Sequence, residues 1–480
     1  MPTVTDGLDP EESSCWACLG RGRREDQALL SHLRLSGGAT LIIPALKCPR
    51  RRRGCSCCSV NAAVSVGRRL YADPVVKRKR HPPEFRLLLE QARRNAAGSP
   101  PRKHHLIPAS YLHRWAEDSK VRVTVVDEHR SYLSSPEKAA RETDFYRIEH
   151  PGVDADQVPP LLFETMLSRI EGNAKTVIDE LISHRDVRAL DPEHLALFAW
   201  HLALSITRGK AFRAEQREML TDTYRLQYAK VTDQGIQARL RKHGIDPTPE
   251  TVAIHRKLLD DLQTGEVWVQ NPDAAVIASS GQIAAVLGDY LFRRNWVVYE
   301  APPILVTCDE PVITIGGPGS PRSEREGVES AGVVMYPLSP SNLLVLFHAE
   351  MRPLGPPVLD HVETAEINRE ILAGASQWAF ERPSRNIAKG LRVPPVPEKP
   401  FLREGPLPQV DGAESELYRY FRPTRWQDDA WAPPWPVARW WHGWWAEQFP
   451  RLADMSPGDK VDTRPERERQ PVPTRKGRRR

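Results

Sequence analysis

The hydrophobic period of this chain changes once, close to residue 295, and that change constrains the fold more than any other feature. From 161 to 293 apolar residues recur at the spacing of an amphipathic helix, and from 296 to 347 they form short β-branched runs separated by Pro, Gly and Ser. The helices predicted in the first part cover 161–182, 192 to beyond 213, 249–263 and 273–293. The sequence therefore predicts an α+β fold, a helical region followed by a small antiparallel sheet.

Short apolar runs in the second part predict the strands of that sheet, at 296–299, 304–307, 312–315, 333–336 and 343–347. A polar segment rich in Gly and Ser, 317–330, lies between two of these strands and is expected to form a mobile hairpin loop. A basic helix at 84–95, a strand at 121–126 and a last helix at 361–378 complete the pattern. We therefore expect residues 103–390 to form the principal domain.

Both ends of the chain are basic, although the whole chain carries a formal net charge of only +6. Residues 1–103 contain 20 Lys and Arg against 9 Asp and Glu, and 464–480 contain 8 against 2, so the body between them carries −11. A nucleic-acid-binding core would instead carry a basic patch on its folded face. The arms, such as the arginines at 50–53, either contact nucleic acid without sequence preference or are solvated tails.

Composition divides the chain into four predicted parts. Residues 1–100 are basic, hold six of the seven cysteines and are expected to have little order. Cys15 and Cys18 have the spacing of a zinc knuckle, but the other cysteines are irregularly placed, so a zinc module and an unfolded segment both stay open. After the principal domain follow a Pro/Trp-rich extension, 391–463, and a basic disordered tail, 464–480.

The extension contains seven tryptophans between Trp426 and Trp445, whose spacing predicts a short amphipathic helix near 436–448. We expect these side chains to dock on the principal domain because tryptophan buries a large area, and a partner-binding or membrane-surface helix is the alternative. No stretch reaches the roughly 18 apolar residues of a membrane span, and the first twenty residues lack the apolar core of a secretory signal. The cytoplasm is therefore the expected compartment.

A pair of adjacent histidines, His104 and His105, opens the principal domain. Histidine changes charge near neutral pH and binds metals, and Asp309, predicted between two strands, could project its carboxylate into a cleft. Together these three residues would bind a divalent metal that activates water, or would act directly as acid and base. The alternative is structural: His105 caps the next helical turn, His104 is exposed, and Asp309 accepts backbone N–H bonds in a turn.

A second candidate group lies on the predicted helices. Glu171 falls inside the apolar stripe of the 161–182 helix, where a carboxylate needs a partner. Arg208 and His201 share one face of the following helix, and either could be that partner. The pair is either a salt bridge between packed helices or part of a catalytic site. The candidate catalytic residues are thus His104, His105, Asp309, Glu171 and Arg208.

Four motifs follow one another over about residues 103–385: His104-His105-Leu106-Ile107-Pro108 with Tyr111-Leu112, Phe145-Tyr146 followed by the Glu171 helix, Thr307-Cys308-Asp309-Glu310-Pro311-Val312, and Tyr336-Pro337-Leu338-Ser339-Pro340 with the later Asn368. In this order they resemble the bacterial family called domain of unknown function 4238. The chain departs from the family pattern at Cys308, where serine is usual, at Glu310, where asparagine is usual, and at Trp115, where phenylalanine is usual.

The resemblance implies no activity, since the family has none assigned, so function is predicted from the residues. The first hypothesis is a metal-assisted hydrolase or nuclease that uses His104, His105 and Asp309. The alternative is a non-catalytic binding or regulatory protein whose basic arms contact nucleic acid or an acidic partner. Steep salt dependence would distinguish the second hypothesis from the first.

Overall fold

The computed structural model describes residues 83–97, 102–149, 153–349, 351, 353–396, 423–426 and 432–441, together with the backbone of four short strands between 401 and 421. The predicted zinc module and the basic tail lie outside the described residues, as does the N-terminal region apart from 83–97. Within the described residues, helices and antiparallel strands confirm the predicted α+β fold.

The helical region contains most of the helices predicted from periodicity. In chain order the α-helices of the described part are α1 (Pro83–Ala96), α2 (Ala109–Leu112), α3 (Leu162–His184), α4 (Pro192–Thr207), α5 (Lys210–Tyr228), α6 (Asp233–Lys242), α7 (Pro249–Thr264), α8 (Asp273–Phe292), α9 (His361–Gly374) and α10 (Ile387–Gly390). Their starts follow local chemistry. Asp191 accepts the Glu193 N–H at 2.8 Å ahead of Pro192, and Asp360 forms a capping box with Glu363.

The strands form two four-stranded sheets and three two-stranded pairs. In chain order they are β1 (Lys103–His105), β2 (Val121–Val125), β3 (Arg130–Ser134), β4 (Arg141–Thr143), β5 (Asn295–Glu300), β6 (Thr307–Cys308), β7 (Ile313–Ile315), β8 (Val333–Ser339), β9 (Asn342–Phe347), β10 (Trp378–Glu381), β11 (Phe401–Glu404), β12 (Leu407–Pro408), β13 (Glu414–Ser415) and β14 (Tyr418–Phe421). One four-stranded sheet has the order β5-β9-β8-β7, and the other has β3-β2-β10-β6. The pairs are β1 with β4, β11 with β14, and β12 with β13.

The strands β8 and β9 explain why the second part of the sequence is so apolar. Alternate residues of these strands enter two different core clusters. Tyr336 and Leu344 belong to the cluster formed with α3, α4 and α8, whereas Met335 and Val345 belong to the cluster formed with α9. Because both faces of the sheet are covered, these strands are apolar along their whole length.

The strand predicted at 304–307 differs from the observed structure. The chain pairs only at β6, and it pairs with β10 in the second sheet rather than with the strands near it in sequence. The reason is the buried side chain of Asn368, whose Oδ1 accepts the Val306 N–H at 3.0 Å and whose Nδ2 donates to the Ile304 carbonyl at 2.8 Å. These bonds occupy the backbone groups that would otherwise pair with a neighbouring strand if β6 were longer.

Replacing Asn368 by leucine is expected to lower the free energy of unfolding by about 2–4 kcal/mol, because it leaves two buried backbone groups without partners. Denaturant unfolding monitored by circular dichroism measures the change. Gln263→Leu is the control, since Gln263 makes one exposed bond to a backbone carbonyl and should change stability by about 0.5 kcal/mol or less. Equal losses in the two variants would contradict the role of Asn368.

The helix predicted from Pro192 past Arg213 is two helices, and α6 was not predicted. Helix α4 ends at Thr207 and α5 begins at Lys210, with Gly209 in an extended conformation between them. Glu310 stabilises the new start, because its Oε1 accepts the Ala211 N–H at 3.2 Å. A Cβ atom on residue 209 would lie 3.2 Å from the same oxygen. The break therefore depends on a residue about one hundred positions away.

Helix α8 is long and apolar enough to cross a membrane by length and composition alone, contrary to the expectation that no stretch of the chain is. In the structure it packs along α4. A Cβ atom on Gly288 would lie 3.5 Å from the Cα atom of Trp200, and the Ser280 hydroxyl donates to the Thr207 carbonyl at 2.9 Å. This close backbone contact shows that α8 packs against α4 in the domain.

The described part of the Pro/Trp-rich extension docks on the principal domain, as predicted. Trp426, Trp440 and Trp441 are buried, although 438–441 is a 3₁₀ helix, and 442–448 lies outside the described residues. The segment 317–330 does connect two strands, β7 and β8. Gly317 lies directly against the Trp441 ring with a φ of +100°, a conformation that favours glycine. The extension therefore contributes to the domain core.

Candidate functional site

Glu171 and Arg208 form an ion pair in the interior of the helical region. Glu171 lies on α3, and Arg208 directly follows α4, where its Nη1 binds a Glu171 carboxylate oxygen. The Arg208 side chain is 3% exposed and that of Glu171 is 19% exposed. Of the two partners predicted for Glu171, the structure thus shows Arg208. His201 lies nearby, stacked on Phe198, and burial lowers the pKa of its imidazole to about 3.

A second carboxylate, that of Glu164, joins this pair and was missed in the sequence analysis. It precedes Glu171 by seven residues, which is two helical turns, so both side chains lie on one face of α3. Burial first, and then the charge of Glu171, raise the pKa of Glu164 to about 7, although Arg208 and Arg141 favour its ionised form. A pKa in this range makes Glu164 a candidate for proton transfer near neutral pH.

Tyr146 lies beside these charges and is fully buried. Burial raises the pKa of its phenol well above the usual value, and the charges of Arg208, Glu164 and Glu171 act on it next. Within the described residues, the Tyr146 hydroxyl and the Arg208 Nε have no hydrogen-bond partner. Two buried donors thus keep unused hydrogen-bonding capacity next to a carboxylate pair, which is uncommon for a purely structural cluster.

His104 is buried at 1% exposure and packs on Tyr146, with 5.8 Å between the ring centroids. Its Nδ1 accepts the backbone N–H of Tyr146 at 2.8 Å, so the neutral ring carries its proton on Nε2. The structural alternative proposed from the sequence, an exposed His104 with His105 as a helix cap, is wrong. Helix α2 follows Pro108 and has no side-chain cap.

His105 joins the same group through Arg141. The His105 Nε2 lies 3.0 Å from the Arg141 Nε and 3.1 Å from the Glu137 carbonyl. Because a guanidinium always donates, we assign this nitrogen as the acceptor. Burial, followed by the charge of Arg141, lowers the pKa of His105. The neutral ring then directs its lone pair at Arg141, whose charge also acts on Glu164.

Asp309 accepts three backbone N–H bonds at the start of β10. The donors are Ser376 at 2.8 Å, Gln377 at 2.7 Å and Trp378 at 3.1 Å. This is the turn role given by the structural alternative. Burial and the neighbouring Glu310 raise the pKa of Asp309 to about 7 against these three donors. None of its hydrogen bonds leads to either histidine.

The described residues give no support to the metal site predicted at His104, His105 and Asp309. No group of three or more His, Cys, Asp or Glu residues is placed to hold a metal ion in the part of the chain that the structure describes. The two imidazole rings are already engaged, because His104 Nδ1 and His105 Nε2 accept hydrogen bonds from the protein. These are the lone pairs that a metal would need.

We call the resulting group the Glu164 cluster, defined by His104, His105, Arg141, Tyr146, Glu164, Glu171 and Arg208. It contains four of the five residues predicted for the site and leaves out Asp309. A notch of about 10 Å³ adjoins Glu171 and is lined by polar groups that include Ser110, Tyr111 and His201. This volume fits about one water molecule, and Glu164 itself is half-buried.

The four motifs found in the sequence meet around this cluster. The Tyr111 hydroxyl lies 2.8 Å from the Thr307 hydroxyl and donates to the Pro337 carbonyl at 2.7 Å, and Tyr336 packs on the Tyr111 ring. Residues 103–385 match the family described as "Protein of unknown function (DUF4238)". The chain belongs to this family. No curated protein and no solved structure matches the chain.

Two departures from the DUF4238 pattern have structural roles here. Cys308 is buried and its thiol donates to the Glu310 carbonyl at 3.2 Å, and burial raises the pKa of that thiol well above its usual value. Glu310 caps α5 at Ala211. The third departure, Trp115, is fully buried and donates to the Leu305 carbonyl at 2.9 Å. None of the three belongs to the Glu164 cluster.

Proposed function

We propose that this member of DUF4238 is an acid–base enzyme of the hydrolytic class and that Glu164 is its proton-transferring group. The observation that carries the proposal is the environment of Glu164: a partly buried carboxyl whose pKa is raised to about 7, beside a fixed ion pair. A general acid or base works best when its pKa is near the working pH. Strongly perturbed carboxyl groups concentrate at functional sites.

The other members of the cluster have complementary roles in this proposal. Ionised Glu164 would take a proton from a water molecule that attacks the electrophilic atom of the substrate, and protonated Glu164 would return that proton to the leaving group. Arg208 and Arg141 balance the charge when Glu164 is ionised. Tyr146 and Arg208 are too deeply buried to contact a substrate, so they act as positioning residues in this proposal.

A metal is not part of this proposal, unlike the hypothesis drawn from the sequence. The two histidines hold Tyr146 and Arg141 in place through their acceptor nitrogens, and so they act as positioning residues. A chelator is therefore expected to leave activity unchanged. Activity that required an added divalent cation would favour the metal-assisted mechanism instead.

The activity test uses chromogenic carboxylic-ester, phosphomonoester and phosphodiester substrates with the full chain. We expect turnover of at least one class, and a loss of about 100-fold or more in kcat in Glu164→Gln. Glu266→Gln is the control, because Glu266 is exposed and lies outside the cluster. Turnover that is equal in the two variants would contradict the assignment of Glu164.

The pH dependence of stability gives a test that needs no substrate. The pKa of Glu164 is about 7 in the folded chain, whereas in the unfolded chain the carboxyl ionises near its usual pKa of 4.5. Between these two pH values the folded state binds more protons than the unfolded state. The contribution of Glu164 to the free energy of unfolding is therefore complete below pH 4.5 and is lost as the pH rises through about 7. The loss is at most about 3 kcal/mol. Denaturant unfolding across this window should show a smaller slope in Glu164→Gln, and an unchanged slope would contradict the raised pKa.

The second candidate is the binding or regulatory protein, favoured by the charge distribution of the sequence, with basic ends around an acidic body. Binding through the arms would weaken steeply with ionic strength. Fluorescence anisotropy of a labelled DNA oligonucleotide, at low and at high salt, tests this candidate in the full chain. The cytoplasm stays the proposed compartment for both candidates.

A further inference from the structure

The strand β3 (Arg130–Ser134) forms one edge of the sheet β3-β2-β10-β6. In the part of the chain that the structure describes, its backbone pairs with β2 and with no other strand. Alternate backbone N–H and C=O groups of an edge strand point away from the neighbouring strand. This edge of the sheet therefore has the hydrogen-bonding capacity to accept one further strand.

The other three edges of the two four-stranded sheets are short or partly covered. Strand β6 has two residues and β7 has three, which leaves little backbone to pair. At the end of β5, the Glu300 N–H donates to the Pro357 carbonyl and the Leu359 N–H donates to the Glu300 carbonyl, both at 2.8 Å. Soluble proteins commonly protect edge strands in these ways, and β3, with five residues, has neither protection.

The side chains of β3 do not protect this edge either. Natural edge strands commonly carry lysine, proline or an inward-pointing charge. Residues 131–134 include none of these, and Glu128 balances the charge of Arg130 at 2.9 Å. Instead, Tyr132 and Leu133 are 41% and 53% exposed at the centre of the strand. An open edge with exposed apolar side chains favours pairing with another strand.

Tyr132 and Leu133 lie on opposite faces of the sheet, because side chains alternate along a strand. Tyr132 is on the face of its β2 partner Val123, and Leu133 is on the face of its β2 partner Arg122. An added strand must therefore cover one apolar side chain on each face. This requirement restricts the strands that fit the edge.

We propose that this edge binds the β3 strand of a second copy of the chain, antiparallel, about a two-fold axis at Tyr132. In this register Tyr132 lies opposite Tyr132 of the second copy, Ser131 lies opposite Leu133, and Arg130 lies opposite Ser134. All five residues of the strand then pair, whereas a two-fold register centred on any other residue of β3 pairs fewer of them. The strand is thus its own complement, which is the condition for a symmetric dimer.

The side chains agree with this register on both faces. On one face the two Tyr132 rings form a cross-strand aromatic pair, and on the other the two Leu133 side chains are diagonal neighbours within reach of each other. The charged residue of the strand, Arg130, faces a serine rather than a second arginine. The dimer would join two four-stranded sheets into one continuous sheet.

The association is expected to be weak. A standard interface uses about 20–30 residues from each partner, and a five-residue strand supplies fewer, so we expect a dissociation constant in the micromolar range. No residue of β3 belongs to the Glu164 cluster, and so this inference does not depend on the proposed function.

Sedimentation velocity of the full chain between about 1 and 200 μM tests the proposal. We expect the average sedimentation coefficient to rise with concentration from that of a monomer toward that of a dimer. Tyr132→Lys removes the aromatic pair and sets two like charges opposite each other, so it should raise the dissociation constant about tenfold. Leu133→Lys, on the other face, should weaken the dimer as well.

Leu87→Lys is the matched control, because Leu87 lies on α1 and is 62% exposed. It adds the same charge at another exposed apolar position and should leave the dissociation constant unchanged. Thermal unfolding of the three variants confirms that each one folds.

Hydrogen exchange followed by mass spectrometry locates the contact on the chain. Backbone amides of 128–135 should exchange more slowly at about 200 μM than at about 1 μM, because pairing protects the outward-facing N–H groups. Amides of α7 should exchange at the same rate at both concentrations. In Tyr132→Lys the difference at 128–135 should be reduced.

Three results would overturn the inference. The first is a sedimentation coefficient that stays that of a monomer at every concentration. The second is a dimer that is equally stable in Tyr132→Lys, Leu133→Lys and Leu87→Lys, which would place the contact on another surface. The third is slow exchange at 128–135 at both concentrations, which would show that another segment of the same chain covers this edge.

Discussion

Replacing Arg208 by methionine is expected to lower the free energy of unfolding by about 3–5 kcal/mol. Arg208 is almost fully buried and balances Glu171, and its charge also favours the ionised form of Glu164. Removing one partner of a buried ion pair leaves the other charge without compensation in a medium of low dielectric constant. The loss should exceed that from any exposed arginine of the chain.

Denaturant unfolding at neutral pH measures this loss, and a double-mutant cycle with Glu171→Gln isolates the pair. Because Glu171→Gln removes the uncompensated charge, the double variant should be more stable than the sum of the two single losses predicts. Arg188→Met is the matched control, since Arg188 is 91% exposed and should change stability by about 0.5 kcal/mol or less. Similar losses for Arg208→Met and Arg188→Met would show that the buried pair does not hold the helices together.

Replacing Trp440 by alanine is expected to have a comparable effect, a loss of about 3–5 kcal/mol. Trp440 is 2% exposed and packs edge-on against Tyr299 and Phe347, at 5.4 Å and 5.5 Å between ring centroids. The variant leaves a cavity on the face of the β5-β9-β8-β7 sheet where Tyr299 and Phe347 pack. The effect would show that the Pro/Trp-rich extension belongs to the folded domain.

Trp268→Ala is the matched control, because Trp268 is 61% exposed. Both variants lose one indole, so the difference between their unfolding free energies reports burial alone. Thermal unfolding monitored by far-ultraviolet circular dichroism avoids the change in tryptophan fluorescence. A Trp440→Ala chain as stable as Trp268→Ala would contradict docking of this segment.

Much of the fold could be predicted because it depends on local patterns. Helices α3, α4, α7 and α8 follow the 3.6-residue period and begin close to the predicted positions, and Asp191 with Pro192 marks the start of α4. The differences arose where a distant residue overrides the local pattern. Glu310 separates α5 from α4, and Asn368 occupies the backbone that would extend β6. Neither contact has a signal in the local sequence.

The site was predicted in part for the same reason. The position of Glu171 in an apolar stripe predicted a cationic partner, because a buried charge must be paired. Glu164 had a comparable signal, since it shares that face two turns earlier, and it was overlooked. Tyr146 was part of a family motif without an assigned role, and Arg141 had no signal, because its role depends on the turn that brings β4 beside β1.

The sequence by itself determined the fold class, the family, the principal helices and the need for a partner at Glu171. These properties follow from hydrophobic periodicity, from motif order and from the cost of a buried charge, all of which are written locally along the chain. Only the tertiary structure decided that His104 and His105 use their lone pairs on Tyr146 and Arg141, and that Asp309 accepts backbone N–H bonds at the start of β10. The pKa of Glu164 is likewise set by residues far apart in sequence, because electrostatic interactions depend on distance in space.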